Sequence, residues 1–209
     1  MSVEIQSILS QNITIVYESL NLKSIDTHKL KSLLDEKITP TVMDTPEMIV
    51  AVYPSDPIFV QIGEDRVRIT LPRKVEDIGT VPLWEIASKC DQLVSQMKSL
   101  PIAFGFNYDV TLASKVDNAT EMLKDLFIPD VEDVDKKIDG HVLAITPRLI
   151  FKRDDTRYDL ILESVDDHIK AHLNAHFVHK DKPLPTKDEL ELAFRREYGF
   201  FVMVLSRLL

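Results

Sequence analysis

Ile102, Phe104, Phe106, Tyr108, Val110 and Leu112 alternate without a miss with Ala103, Gly105, Asn107, Asp109 and Thr111. Side chains of an extended chain point to opposite faces in turn, so this segment reads as a strand with one buried and one open face. Such a strand needs ladder partners at its edges and a cover for its apolar side. Candidate partners follow the same period. Ile58, Val60 and Ile62 alternate, as do Val67, Ile69 and Leu71, with Gly63-Glu64-Asp65 between them as a hairpin turn. Residues 48–53 are apolar on both faces and read as a more central strand, ended by Pro54 and Pro57. Ile13–Tyr17, Val142–Thr146, Leu149–Lys152 and Tyr158–Leu162 also read as extended, with a polar turn at 153–156.

The cover is equally visible. From 82 to 100, Leu83, Ile86, Ala87, Cys90, Leu93, Val94, Met97 and Leu100 recur at steps of three and four, making one apolar helical stripe. Thr186 and Glu189 form a capping-box pair, and behind them Leu190, Phe194, Tyr198, Phe201, Leu205 and Leu208 make a second, longer stripe. Shorter helices are expected at 27–36 and at 119–127, the latter capped by Asn118 with Glu121.

In order, these elements give strand, helix, three strands, helix for 13–100, and the same succession for 102–209. The expected fold class is α+β: two β-α-β-β-β-α units forming a broad curved antiparallel sheet, with the long helices packed on one face. With 209 residues, 44% hydrophobic and 5 Gly, residues 1–209 suffice for a single compact domain made of these two structural repeats. The element order resembles the duplicated plan of TATA-binding-protein-like and helix-grip folds, a likeness of shape without a function.

The strongest case for chemistry is His168, His172, His176 and His179, whose spacing on a helix would stack imidazoles as metal ligands. Their neighbours decide against it. Ile169, Ala171, Leu173, Ala175 and Phe177 occupy every odd position, so the segment reads as a strand. Histidines four apart then lie about 13 Å from each other, too far to share one ion unless other segments contribute ligands. The acidic run Asp130, Glu132, Asp133, Asp135 and Asp139 lacks the ligand alternation of a calcium loop and reads as a solvated loop. There is no nucleophile elbow and no Gly-x-Gly phosphate loop, and Cys90 sits on an apolar stripe. Hence no catalytic residue, metal or cofactor is expected.

A formal charge of −9 disfavours nucleic acid as a partner, since that requires neutralised phosphates. With one Cys, no apolar run long enough for a membrane span and Glu4 where an export signal carries positive charge, the expectation is a cytoplasmic protein. The leading functional expectation is a non-enzymatic interaction or assembly protein whose partner is itself or another protein. Phe200, Phe201, Val202, Met203, Val204 and Leu205 make the last helix apolar all round, more than one sheet face covers, which invites an oligomer or partner interface. The alternative is a small-ligand or nucleic-acid binder using the open sheet face, with Arg66, Arg68, Asn107, Lys170, His172 and His176 as its candidate residues. A metal-dependent enzyme using His172 and His176 comes third.

Val60-Gln61-Ile62-Gly63-Glu64-Asp65-Arg66, then Trp84-Glu85, then Phe104-Gly105-Phe106-Asn107-Tyr108 resemble the corresponding stretches of a sporadically distributed family of uncharacterised prokaryotic proteins of similar size. The likeness covers residues 57–112, and the Arg usual before the Tyr-Ile-Asn-like segment of that family is not found before Asn107. It implies a prokaryotic or phage-related protein and no activity.

Overall fold

The computed structural model describes residues 4–34, 39–96, 99–113, 118–180 and 182–209. Two long strands, β1 (Glu4–Tyr17) and β6 (Pro101–Ala113), pair antiparallel at the centre, with Asn12 opposite Asn107 and Ile13 opposite Phe106. Outward from β1 come β5 (Arg66–Leu71), β4 (Ile58–Ile62), β3 (Ile49–Tyr53) and β2 (Thr41–Asp44). Outward from β6 come β9 (His168–Val178), β8 (Thr156–Val165) and β7 (Arg148–Arg153), completing a nine-stranded antiparallel sheet. Neighbouring strands lie about 4.8 Å apart, so eight spacings make the sheet about 38 Å wide. The fold is α+β with a broad curved sheet, and residues 168–178 are extended chain as their period requires.

Helices α2 (Leu83–Ser95) and α5 (Lys187–Leu208) pack against each other across one face of this sheet. Leu83, Trp84, Ile86, Ala87, Cys90, Leu93 and Val94 are the buried side of α2, and burial pushes the Cys90 thiol up to about 12. The Thr186 capping box is formed, with Glu189 Oε2 accepting from the Thr186 backbone N–H at 2.8 Å, and a cap of this kind contributes about 1 kcal/mol. Leu190, Phe194, Glu197, Phe201 and Leu205 face inward. Glu197 is tolerated there because it accepts the Tyr158 hydroxyl at 2.7 Å and pairs with Arg196 at 2.8 Å. Two shorter helices complete the same side. Asp26 caps α1 (Thr27–Lys31), and Asn118 caps α3 (Ala119–Phe127) by accepting from Thr120 and Glu121. The end of the helix expected at 27–36, and Met97 of the 82–100 stripe, lie outside the described residues.

Four features differ from the sequence expectation, each for a local reason. The first strand begins at Glu4 rather than Ile13, because register shifts between Ile5 and Ser7 and between Ile8 and Ser10 reset which face a side chain meets. Alternation therefore breaks although the strand continues. An additional edge strand, β2, is exposed at Thr41, Met43 and Asp44 and has no apolar face to recognise. The acidic stretch is not a loop but a helix, α4 (Val131–Ile138). Asp130 caps it by accepting from the Asp133 N–H, acids occupy its first turn and Lys136 and Lys137 its last, and Asp139 closes it at φ 49°. Val142–Thr146 forms no strand: the Val142 N–H donates to Asp135 Oδ1 and its carbonyl accepts from Lys124 Nζ, which takes the place of ladder pairing.

The apolar stretch of α5 is largely covered from within. Phe201 and Leu205 are buried, and Phe200 meets Tyr158 at 4.9 Å and Phe151 at 6.3 Å between ring centres, leaving Val202 at 37% exposure. The β7–β8 hairpin thus covers Phe200, while Val202 is exposed and Met203 and Val204 are half-buried. Among the described residues no helix is long and apolar enough to cross a membrane.

Candidate functional site

Because the core helices share one side, the opposite face of the sheet is open, and the register shows which side chains share it. One row across the strands reads Arg68, Thr14, Gly105, His176, Arg157 and Lys152, from β5 through β1, β6, β9 and β8 to β7. The next reads Thr70, Asn12, Asn107, Asn174 and Asp159. A third holds Ser10, Asp109, His172 and Ile161, continuing to Arg148, and a fourth holds Ser7, Thr111, Lys170 and Glu163. Arg66 lies further along β5, opposite Val16. All six residues singled out from the sequence thus belong to this face. Asn107, Lys170, His172 and His176 stand together on β6 and β9, Arg68 is three strands from His176, and Arg66 is bound to its neighbour Asp65 at 2.7 Å.

The face is a hydrogen-bonded polar layer. Asn12 Oδ1 accepts from Asn107 Nδ2 at 2.8 Å and from Thr14 Oγ1 at 3.2 Å. Asp109 receives the Ser10 hydroxyl at 2.8 Å on one oxygen and meets His172 Nδ1 at 2.7 Å with the other. Arg148 holds Asp159 with both Nε, at 2.9 Å, and a terminal nitrogen, a two-pronged pair that fixes geometry as well as charge. Asn174 Oδ1 is buried without a partner among the described residues.

Sequence reasoning missed Ser10 and Asp109, whereas Arg148, Arg157 and Asp159 read in the sequence as a hairpin cluster whose interleaved acids and bases cancel. Asp109 carried a signal: it shares the parity of Asn107 in the best strand of the chain. Ser10 enters, and Arg148 finds Asp159, through cross-strand pairing, which a single sequence does not state.

The described residues of this face enclose hollows. A groove of about 290 Å³ is bordered by Ser10, Asp109, Ile161, Glu163, Lys170 and His172, and a cleft of about 130 Å³ by Arg157, Asp159, Asn174 and His176. A larger hollow, about 430 Å³, lies off the sheet between Glu132, Asp135, Lys136, Asp139, Gly140 and His141. It is walled by a helix with no buried residue, so the smaller sheet hollows, set in rigid strands, are the better-positioned sites. No group of three or more His, Cys, Asp or Glu suited to a metal ion occurs among the described residues.

Charge on the face is unevenly spent. Asp65, Asp109 and Asp159 are each engaged, by Arg66, His172 and Arg148. Loss of water raises the Asp109 carboxyl, but the His172 hydrogen bond and charge, with the Ser10 hydroxyl, outweigh it and hold the group below the usual carboxylate range. The Arg148 hydrogen bonds do the same for Asp159. Arg68 and Arg157 have no ion-pair partner among the described residues, and burial first, then Arg157, lowers His176.

A depressed carboxylate stabilises the fold above its unfolded range near pH 4 and ceases to do so as pH falls through the folded value. The variant Asp109→Asn is therefore expected to lose about 0.5–1 kcal/mol at neutral pH, as befits a half-exposed pair, and to show a shallower fall of stability from about pH 5 to pH 2. Denaturant unfolding across that range checks this, and an unchanged acid limb contradicts it.

Neither models of known protein families nor the curated proteins match this chain, so they add nothing to the likeness noted for residues 57–112.

Proposed function

We propose that this is a non-enzymatic interaction protein, prokaryotic or phage-related and cytoplasmic, that binds a protein partner on the helix-free face of its sheet. In this reading the chain is one domain of two units, 13–100 and 102–209, whose merged sheet presents the working surface. The observation that carries the reading is the one-sided cover. Core helices occupy one face, while the other holds an ordered polar layer with hydrogen bonds from β1 to β6, from β6 to β9 and from β7 to β8. A polar layer fixed by cross-strand hydrogen bonds is pre-organised, which lowers the ordering cost of binding. The small-ligand alternative draws on the groove beside Asp109 and His172, where the carboxylate fixes one imidazole nitrogen.

The test is recovery of bound species from cells that naturally make the protein. The wild type and a variant altered on the helix side, Leu192→Asp, are expected to retain the same partner, and Arg68→Glu with Arg157→Glu to lose it. Identical recoveries from all three would overturn the reading.

A further inference from the structure

We infer that the row formed by Arg68, Thr14, Gly105, His176 and Arg157 is a docking track for an extended acidic segment of a protein partner. The inference rests on the open face being the working surface and names what that surface recognises. Charge complementarity carries it. The three aspartates next to the track are in ion-pair contact with Arg66, His172 and Arg148, whereas Arg68 and Arg157 on the same row make no ion pair among the described residues, Arg157 reaching Asp159 only through its longer-range charge. The chain is acidic as a whole, but at about 0.1 M salt charges are felt over roughly 10 Å, so this local surplus governs what settles there.

The middle of the row is low. Gly105 carries no side chain, and a Cβ placed on it would stand 3.0 Å from the Ala175 carbonyl oxygen, so the track dips between Thr14 and His176. A chain crossing the strands can approach the backbone there. Four strand spacings separate Arg68 from Arg157, about 19 Å, a length that several carboxylates of an extended segment span and that one small anion does not, while Lys152 beyond them is paired with Asp155 at 3.7 Å.

His176 adds a response to pH. On β8 it faces Arg157, with Asp159 one row away and held by Arg148. On its own strand it has Asn174 and His172. On β6 it faces Gly105, which carries no charge. Burial and the Arg157 charge disfavour its protonation in the free protein, and an anion beside it reverses that balance. Binding therefore takes up a proton and tightens as pH falls. Nucleic acid, the other long polyanion, is the poorer fit. Phe59 is the phenyl, phenol or indole ring that the described strands place on this face, and it lies on β4, outside the row, so successive bases find no stacking platform along the track.

Fluorescence anisotropy with a labelled dodecaglutamate peptide tests the inference, using the full chain at about 50 mM and about 200 mM salt. The wild type is expected to bind, more weakly at higher salt and more tightly at about pH 6 than at about pH 7.5. Arg68→Gln with Arg157→Gln should weaken binding by roughly tenfold. His176→Gln should remove the pH dependence, and Lys187→Gln on α5 should change nothing. No binding by the wild type, equal binding by the double variant, or tighter binding of an oligothymidine dodecamer overturns the inference. So does full competition by inorganic phosphate at single-site stoichiometry, which describes a small-anion pocket instead. If a natural partner still depends on the open face while the peptide fails, only the acidic track falls; if that dependence also fails, the open-face reading falls with it.

Discussion

Replacing Phe194 with alanine is expected to lower the free energy of unfolding by about 3–5 kcal/mol. Phe194 is fully buried, and its ring lies 5.9 Å from Trp84 of α2, 5.3 Å from Phe106 and 5.1 Å from Tyr108 of β6. It is the point at which both long helices and the central strand meet. Truncation removes the transfer free energy of the ring, forfeits three aromatic contacts of about 0.5–1.5 kcal/mol each at most, and leaves a cavity. Collapse into that cavity is limited because Phe106 and Tyr108 are fixed by the β6 ladders on both sides, and Tyr108 is also tied to the Phe194 carbonyl at 2.7 Å. The backbone bond survives the substitution, so the loss reports packing. Leu192→Ala on the same helix, 69% exposed, should shift stability by no more than about 0.5 kcal/mol. Equal losses for the two variants, by denaturant unfolding, would show that α5 is not anchored through Phe194.

What the sequence could express is set by whether one period governs a segment. In β6 and β9 the alternation is unbroken, so strand, buried face and open face are all legible, and the open-face parity of Asn107, Lys170, His172 and His176 follows. In α2 and α5 the 3.6-residue stripe is equally plain, and the Thr186–Glu189 cap marks the start of α5. Legibility fails where a second device overrides the period. The bulges of β1 move its polar residues between faces, and the acids of α4 resemble a loop although their order, acids first and lysines last, suits a helix dipole.

The candidate site divides along the same line. Which residues face outward is local information, but that Asp109 meets His172 and Asp159 meets Arg148 depends on strand pairing. In the sequence Glu64, Asp65, Asp154, Asp155 and Asp159 are interleaved with the hairpin bases and read as cancelling them evenly, whereas pairing spends them on particular partners and leaves Arg68 and Arg157 without an ion pair among the described residues.

The same bulges make the second large prediction, Gln11→Leu, which is expected to stabilise the protein by about 1–3 kcal/mol. The register shift between Ile8 and Ser10 turns Gln11 to the helix side, opposite Tyr108 and Leu71, where it is fully buried. Neither its amide nitrogen nor its oxygen has a partner among the described residues. An unpaired buried amide forgoes its hydrogen bonds to water, and leucine, of similar bulk, removes that penalty while keeping the site filled. The gain should appear as a higher denaturant midpoint at unchanged slope, whereas Gln11→Ala, which leaves a void, should destabilise. A loss on Gln11→Leu would mean that the amide is satisfied in solution. Gln11 lies on the far side of β1 from Asn12 and Thr14, so the leucine variant should bind the glutamate peptide as the wild type does. If binding instead changed with stability, the open face would not be the independent surface that its hydrogen-bonded layer indicates.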